Sequence, residues 1–256
     1  MRARISVLAA ALLALLALPA TSQAATENPC HGPERAQLLC PNLRIGPASE
    51  LYVENHGPGR VLLRATSDVR SRGRGPMELI GRRNGWRTMT TNQRIYKVGG
   101  GHITVKSDAT LRFTDVGYQF GGAYWKVHRL AQFDLRPIAA DGSLGDPVRT
   151  SPKLNYCLRD LELTRVMKAT PLSRHYPGCN QNPYRNRVTL GTSVGWSDIY
   201  PAPYHQQYIN VAGLRGCFVF EMTVDPEENL FESNEKDNSS RRLVELPYTG
   251  STAGCR

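Results

Sequence analysis

The feature that most constrains the fold is a series of short segments in which apolar and polar residues alternate, each closed by Gly, Pro, Asn or Asp. In 217–224, Phe218 and Phe220 fall on one side of an extended chain, while Glu221 and Thr223 fall on the other. The same pattern predicts further strands at 61–66, 77–80, 93–98, 102–106, 124–135 and 208–211. Because no segment after residue 24 keeps a helical period beyond two turns, the sequence predicts an all-β protein, a β-sandwich with long irregular loops.

The connections between these strands indicate one domain. Gly99, Gly100 and Gly101 lie between two predicted strands and are typical of a hairpin turn. We expect 161–192 to be a long irregular loop. Nothing in the composition resembles a linker, so the chain after residue 24 is long enough to bury one substantial core.

The first 24 residues have the order of an export signal. Arg2 and Arg4 precede an uncharged apolar run at 5–18, and small residues follow at 22–24. That order is typical of a signal peptide, and the apolar run is shorter than the roughly 20 residues that span a bilayer. We therefore predict a signal peptide at 1–24, a secreted domain at 25–256 and no transmembrane segment in the mature chain. An uncleaved membrane anchor is the alternative.

The composition is strongly basic. The chain has 32 basic and 22 acidic residues, and 1–24 hold two of the basic ones, which leaves a net charge of +8 after cleavage. Such a charge attracts anionic surfaces, so we expect cell-envelope polyanions or proteins as partners. Five arginines could pass for an RNA-binding patch: Arg72, Arg74, Arg82, Arg83 and Arg87. Because the chain is predicted to be exported, we interpret them as a solvated basic face and expect no specific nucleic acid partner.

Six cysteines follow the signal, at Cys30, Cys40, Cys157, Cys179, Cys217 and Cys255. An even number in an exported chain indicates disulfide bonds. The sequence alone leaves the pairing open. No pair has the CxxC spacing of a thiolate zinc site.

Seven phrases occur in one order along the chain. They are CPNLR at 40–44, GRGPMEL at 73–79, WKVHRLAQFDL at 125–135, PKLNYCLRD at 152–160, GWSDIY at 195–200, QYINV at 207–211, and DP followed by FESNEKDN at 225–238. Together they resemble the bacterial branch of the lysyl oxidase family. The resemblance spans residues 40–249, nearly all of the predicted mature chain.

The resemblance implies a copper amine oxidase, which converts primary amines to aldehydes through a lysine tyrosylquinone cofactor. Lys153 stands where the family has its cross-linking lysine, and Tyr200 stands where it has the quinone-forming tyrosine. Both cofactor residues are therefore retained. Without the resemblance they would be a surface lysine and a tyrosine at a Pro-rich turn.

The copper ligands implied by the resemblance are missing. The family holds copper with a His-x-His-x-His run on one strand, and the three positions correspond here to Gly122, Tyr124 and Lys126. A protonated lysine cannot ligate copper, and its charge repels a divalent ion. His128 shares the alternation of Tyr124 and Lys126, but one imidazole does not make a copper site.

The disulfide pairing is predicted around this site. We expect Cys157 to bond Cys179, because the two cysteines bracket one long loop that needs fastening near the retained lysine. Cys30 would then close a short loop with Cys40, which leaves Cys217 to bond Cys255.

The resemblance also implies a calcium site in an acidic, amide-rich segment at 226–240. The matching ligands are Glu232, Asn234, Asp237 and Asn238, with Asn42 and the backbone carbonyl of Leu43. Oxygen-only ligands of mixed type suit this hard cation. Two of these positions carry amides where the family has acids, so we expect weak binding. A merely solvated acidic turn is the alternative.

These expectations point to a secreted lysyl oxidase-like protein that is non-catalytic, a pseudoenzyme that serves as an envelope or extracellular binding or structural protein. The alternative is a copper- and quinone-dependent amine oxidase with an altered metal site that includes His128. The sequence contains no His-Glu-x-x-His motif of the zinc metalloproteases. It therefore leaves open whether the protein is an enzyme.

Overall fold

Two antiparallel sheets form the protein over the residues that the computed structural model describes, 27–152 and 154–255. The larger sheet contains β1 (Leu38–Leu39), β5 (Met77–Gly85), β6 (Thr88–Lys97), β7 (His102–Asp115), β8 (Ala123–Pro137), β9 (Arg149–Thr150), β10 (Leu154–Tyr156), β12 (Arg187–Thr192), β15 (Gly216–Val224) and β16 (Ser239–Leu246). The smaller sheet contains β2 (Leu43–Ile45), β3 (Ser49–Asn55), β4 (Val61–Ser71), β11 (Glu162–Leu163), β13 (Trp196–Tyr200) and β14 (Tyr208–Asn210). Short 3-10 turns occur at Arg35–Gln37, Tyr118–Phe120 and Glu235–Asp237.

One long strand organises each sheet. The larger sheet runs in the order β12-β5-β6-β7-β8-β15-β16, with β1 beside β6 and with β9 and β10 beside β8. The first part of β8 pairs with β7 and its second part pairs with β15. In the smaller sheet β4 is central, since β2, β3, β13 and β14 all pair with it. The predicted all-β sandwich in a single domain is confirmed.

The core lies between the sheets and follows from the strand alternation. Leu63 and Val69 of β4 pack in the same buried cluster as Leu111, Phe133 and Phe220 of the larger sheet, and all five are fully buried. The observed strands contain the predicted segments almost completely, and Gly99–Gly101 form the connection between β6 and β7. Sequence alternation therefore locates the principal strands of the core.

The predicted loop at 161–192 needs a correction at its end. Arg187–Thr192 form strand β12, which pairs antiparallel with β5 along its whole length. Val188 and Leu190 are buried while Arg187 and Thr189 are exposed, which is the alternation of an edge strand. The remainder of 161–192 is irregular apart from the two residues of β11.

Three disulfide bonds join the predicted pairs. Cys30 bonds Cys40, Cys157 bonds Cys179 and Cys217 bonds Cys255. The second bond ties the end of β10 to the irregular segment before β12. Among the described residues, no helix is long and apolar enough to cross a membrane. The predicted signal peptide at 1–24 lies outside the described residues.

Candidate functional site

The principal candidate site lies at one end of the sandwich, where β8 faces β13. Tyr124 and Lys126 are two positions apart on β8, and Asp198 and Tyr200 are two positions apart on β13. Residues two apart on a strand face the same side, so each strand presents two polar side chains in the same direction. Tyr204 joins them from the turn after β13. We call these five residues the tyrosine pocket.

The amine of Lys126 lies at the centre of the tyrosine pocket. Its side chain is 2% exposed, and its Nζ lies 5.2 Å from the ring centroid of Tyr124, 4.9 Å from that of Tyr200 and 5.0 Å from that of Tyr204. The Nζ also donates a hydrogen bond of 3.3 Å to the hydroxyl of Tyr204. Three aromatic faces around one amine form an aromatic cage, which stabilises a cation through the ring quadrupoles.

Burial changes the charge of this amine. It lowers the pKa of Lys126 to about 7, and the nearby Asp198 carboxylate opposes the shift. Burial in turn raises the pKa of Asp198 to about 7, with Arg159 and Lys126 acting in the opposite direction. Lys126 is therefore partly neutral at neutral pH. We expected a fully charged ammonium at Lys126. With both pKa values near 7, Lys126 is instead a partly charged amine next to a weakly acidic Asp198 carboxyl.

Asp198 connects the pocket to the segment after β10. Its Oδ2 accepts a hydrogen bond of 3.2 Å from the backbone amide of Leu158, and its Oδ1 lies 3.5 Å from Nε of Arg159. Leu158 has a positive φ of 54°, so the chain turns sharply here and brings the side chain of Arg159 to the cavity. Arg159 is the positive group of the pocket that retains contact with solvent.

Tyr200 is fixed from two sides. Its hydroxyl accepts a hydrogen bond of 2.9 Å from the backbone amide of Cys157, and its ring centroid lies 4.2 Å from that of Tyr156. Burial raises the pKa of the Tyr200 phenol well above its ordinary value of 10.0. The side chain is therefore a neutral phenol in a fixed orientation.

A cavity of about 500 Å³ opens beside these groups. Its walls include the rings of Phe120, Tyr124, Tyr200 and Tyr204, together with the guanidinium of Arg159. The hydroxyls of Tyr124 and Tyr204 are hydrogen-bonded to each other. Aromatic walls with one accessible cationic group are typical of a site for a small organic ligand.

The positions matched to the copper ligands do not form a metal site. Gly122 lies in the bend before β8 with a positive φ of 79°, so strand alternation does not bring it to the face of Tyr124 and Lys126. His128 is half-buried, and its Nδ1 forms a hydrogen bond of 3.0 Å with Oδ1 of Asn155. Of the three positions matched to copper ligands, Tyr124 and Lys126 therefore share a strand face, and Gly122 lies before the strand.

The surrounding donors do not suit copper. Close to Lys126 are phenols whose pKa is raised by burial, and phenols bind copper poorly until they lose their proton. His205 follows Tyr204, and burial together with the Lys126 charge lowers the pKa of its imidazole and so favours the neutral form, but one imidazole does not make a copper site. Among the described residues, no group of three His, Cys, Asp or Glu with converging ligand atoms contains a histidine. Lys153, which the resemblance matches to the family's cross-linking lysine, lies outside the described residues.

The predicted calcium ligands are divided between two environments. Glu232 is fully buried, and its carboxylate accepts hydrogen bonds from the backbone amide of Leu43 and from Nδ2 of Asn238. Asp237 instead forms an ion pair with Arg44 and accepts hydrogen bonds of 3.3 Å from Nδ2 of Asn42. Leu43 thus contacts the predicted calcium ligand Glu232 through its backbone N–H group, whereas the resemblance implied a role for its backbone carbonyl.

Asn234 is also used locally. Its Oδ1 accepts a hydrogen bond of 3.1 Å from the backbone amide of Lys236 and caps the 3-10 turn Glu235–Asp237. Two of the six predicted ligands, Asn234 and Asp237, therefore have other partners.

Two unpredicted carboxylates complete an acidic cluster with Glu232. The ligand oxygens of Asp225, Glu232 and Glu235 all lie within 4.8 Å of one another, and the first two residues are buried. Burial raises the pKa of each, to about 7 for Asp225. We call Asp225, Glu232 and Glu235 the acidic cluster.

Amide groups beside the acidic cluster have unused oxygens. Asn238 donates its Nδ2 to Glu235 at 3.2 Å as well as to Glu232, while its own Oδ1 is buried without a hydrogen-bond partner. The Oδ1 of Asn42 is likewise buried and unpartnered. Three carboxylates beside the unpartnered amide oxygen of Asn238 are ligand types that suit a hard divalent cation such as calcium.

Several residues of these sites were not found by sequence reasoning. Asp198 belongs to the phrase GWSDIY, and its alternation with Tyr200 was a usable signal for a shared face. Asp225 and Glu235 belong to the acidic phrases but were given no ligand role. Arg159 and Tyr204 reach the pocket through turns, for which the sequence offers no periodic signal.

Comparison with known proteins adds no relative. No protein-family model matches the chain, and no curated protein sequence matches it either.

Proposed function

We propose that the protein is an exported, lysyl oxidase-like pseudoenzyme that has lost copper-dependent amine oxidation and serves as a binding or structural component outside the cell. The observation that carries this proposal is the amine of Lys126, which lies within the rings of Tyr124, Tyr200 and Tyr204 where the resemblance places a copper ligand. A side chain of the protein itself thus fills the centre of the pocket.

The argument against copper rests on the donors rather than on charge alone. Because the pKa of Lys126 is lowered to about 7, repulsion between an ammonium and a metal is incomplete at neutral pH. A copper ion still needs several nitrogen or thiolate ligands. The tyrosine pocket offers one amine surrounded by phenols, and its five residues include no imidazole and no thiolate. Copper and lysine tyrosylquinone do not fit this set of residues.

The cavity gives the protein a means of binding. A small ligand that enters it meets the rings of Phe120, Tyr200 and Tyr204 and the guanidinium of Arg159. Stacking on the rings and a charge-assisted hydrogen bond to Arg159 favour a flat organic molecule with an anionic group. The disulfide between Cys157 and Cys179 holds one wall of this cavity, since Cys179 lines it.

Calcium is proposed as a structural ion of the acidic cluster. The carboxylates of Asp225 and Glu232 are buried and that of Glu235 is half-buried. Among the described residues, no lysine or arginine forms an ion pair with any of the three. A divalent cation would neutralise them and would give Asn42 and Asn238 a partner for their unused oxygens. This ligand set replaces the predicted one at Asn234 and Asp237.

Metal analysis and an amine oxidation assay on the purified mature protein test the loss of activity. We expect no stoichiometric copper after dialysis against copper, and no hydrogen peroxide when primary amines are added in air. Matched Lys126→Met protein should give the same two results, because the amine is not part of a copper site. Stoichiometric copper together with amine-dependent peroxide would restore the amine oxidase as the function.

Mass spectrometry tests the cofactor separately. Making the quinone requires copper and oxygen beside Tyr200, since a buried phenol with a raised pKa is a poor target for oxygen at neutral pH. After incubation with copper and air, we expect peptides that contain Lys153 and Tyr200 with unmodified masses. A peptide joining Lys153 to Tyr200, or an absorbance that phenylhydrazine shifts, would contradict the proposal.

A further inference from the structure

A second candidate site lies beside β2 and the end of β4 and uses none of the residues of the tyrosine pocket. Two adjoining cavities of about 450 Å³ and 640 Å³ share Arg44, Arg72 and Met167 in their walls. Six cationic side chains line the two cavities: Arg44, Arg70, Arg72, Arg74, Arg165 and Lys168. The carboxylate in their walls is that of Asp237. We call these six cationic residues the basic cleft.

Strand register forces part of this charge together. Arg44 of β2 lies directly opposite Arg70 of β4, so the two side chains are neighbours on one face of the sheet. Like charges in directly opposed positions are destabilising without a counter-charge. Asp237 pairs with Arg44 and Asp68 pairs with Arg70 at 2.6 Å, which offsets the repulsion between these two arginines.

The other four cations have no such compensation. Among the described residues, no carboxylate forms an ion pair with Arg72, Arg74, Arg165 or Lys168. The guanidinium of Arg72 is half-buried and donates to neutral oxygens, at 2.8 Å to Oγ1 of Thr164 and at 3.2 Å to the carbonyl of Ser71. The basic cleft therefore concentrates positive charge. The hydrogen bonds of Arg72 to neutral oxygens orient its guanidinium without neutralising its charge.

This concentration is local, since the predicted run of five arginines divides in space. Arg72 and Arg74 belong to the basic cleft, whereas Arg82, Arg83 and Arg87 lie on the hairpin of β5 and β6 or beside it. Arg83 is occupied by backbone carbonyls, among them that of Trp86 at 2.7 Å. Arg82 and Arg87 are exposed and provide a matched comparison.

The geometry points to a binding site for a linear polyanion with repeated phosphate groups, held along the basic cleft. Guanidinium groups match phosphate oxygens with paired hydrogen bonds, and five of the six cations are arginines. A single phosphate would contact one part of the cleft. Cations in both cavities, with Arg72 between them, favour a chain whose successive phosphates contact successive side chains.

Binding of inorganic polyphosphate to the full mature chain tests this inference. We expect the dissociation constant to rise with salt, because bound phosphates release counterions. The double variant Arg165→Gln with Lys168→Gln removes two exposed charges of the cleft. It should weaken binding about tenfold at low salt and reduce the slope of log K against log salt by about two.

The control is Arg82→Gln with Arg87→Gln, which removes the same charge elsewhere. We expect its dissociation constant to stay within about twofold of the wild-type value, since the removed charges lie outside the cleft. Arg72→Gln extends the test to the centre of the cleft, with the melting temperature measured alongside to separate a folding defect from a binding defect.

Three outcomes would overturn the inference. Equal weakening by the two double variants would mean that only net charge matters. If polyglutamate of matched charge bound as tightly as polyphosphate, the cleft would have no preference for phosphate groups. If orthophosphate bound as tightly as the polymer, the cleft would not require a chain of linked phosphates. Because the tyrosine pocket contributes no residue, copper loading or amine oxidation in that pocket would leave these results unaffected.

Discussion

The tyrosine pocket and the acidic cluster both bury charge, but they balance it differently. In the tyrosine pocket a carboxyl, Asp198, lies near two cationic side chains, Lys126 and Arg159. In the acidic cluster, Asp225 and Glu232 are buried together with no lysine or arginine paired to them among the described residues. One site contains its own cation, and the other has the ligands for a cation from solution.

This difference concerns how a buried charge is stabilised. A buried amine on a strand is stabilised by aromatic or acidic groups around it, as Tyr124, Tyr200 and Tyr204 do for Lys126. Carboxylates without such a partner have a raised pKa, and a divalent ion that bound them would stabilise their ionised form. The two sites therefore respond to different treatments.

The largest expected effect is a pH dependence of stability due to Asp198. The pKa of its carboxyl rises from 3.8 in a model environment to about 7 in the folded protein. Because the folded pKa is the higher one, this group favours folding fully below about pH 4, and the contribution is lost as the pH rises to about 7. At roughly 1.4 kcal/mol per pKa unit, the loss amounts to about 4 kcal/mol.

Asp198→Asn removes that contribution. Chemical denaturation of wild type and variant in chelator-containing buffer from pH 4 to 8 measures it, with the exposed Asp108→Asn as control. We expect the free energy of unfolding of the wild type to fall relative to Asp198→Asn between pH 4 and 7 and to stay level with that of the control variant. Parallel curves for wild type and Asp198→Asn would mean that the carboxyl is ionised throughout and fully paired.

Calcium should produce the second largest effect. Binding to the folded state alone at 100 times the dissociation constant stabilises a protein by about 2.7 kcal/mol. For a domain of this size that is about 5–10 °C in melting temperature. We therefore expect calcium to raise the melting temperature of chelator-stripped protein by this amount.

Glu232→Gln identifies the responsible ligands. It replaces a fully buried carboxylate of the acidic cluster, whereas Glu228→Gln changes an exposed one in the same segment. The calcium-induced shift should disappear in the first variant and remain in the second. If calcium leaves the melting temperature of the wild type unchanged, the acidic cluster is a vestigial site.

The sequence predicted the parts of both sites that depend on one strand or one phrase. Alternation located β8 and therefore Tyr124 and Lys126, and the acidic phrase located Glu232 and Asn238. It did not predict the positive φ of Gly122 just before β8, because a bend of this kind has no periodic signature.

Other features depend on register between distant segments. Arg44 meets Arg70 because β2 pairs with β4, and Asp237 is drawn to Arg44 and away from the acidic cluster. Such pairings arise from tertiary packing, and no local pattern around Asp237 distinguishes an ion pair with arginine from a calcium ligand. Sequence reasoning therefore locates the acidic segment, while the partners of its individual side chains depend on tertiary packing.

The smallest expected effect is a loss of stability on removal of the Tyr204 hydroxyl, which should alter the tyrosine pocket and leave the acidic cluster unchanged. This hydroxyl accepts a hydrogen bond from Nζ of Lys126 at 3.3 Å and is hydrogen-bonded to the hydroxyl of Tyr124. Tyr204→Phe keeps the ring of the aromatic cage and removes both hydrogen bonds, so we expect a loss of about 1 kcal/mol in the free energy of unfolding. The exposed Tyr118→Phe should change stability by less than about 0.5 kcal/mol.

The effect of Tyr204→Phe should also be confined to the tyrosine pocket. The calcium-induced shift in melting temperature should match that of the wild type, because the acidic cluster contains no residue of the pocket. NMR titration of the Lys126 amine should show a lower pKa in Tyr204→Phe, since the charged form loses a hydrogen-bond acceptor while its burial stays the same. An unchanged pKa would mean that the ring faces alone stabilise the amine, and a higher one would mean that water enters the cage when the hydroxyl is removed.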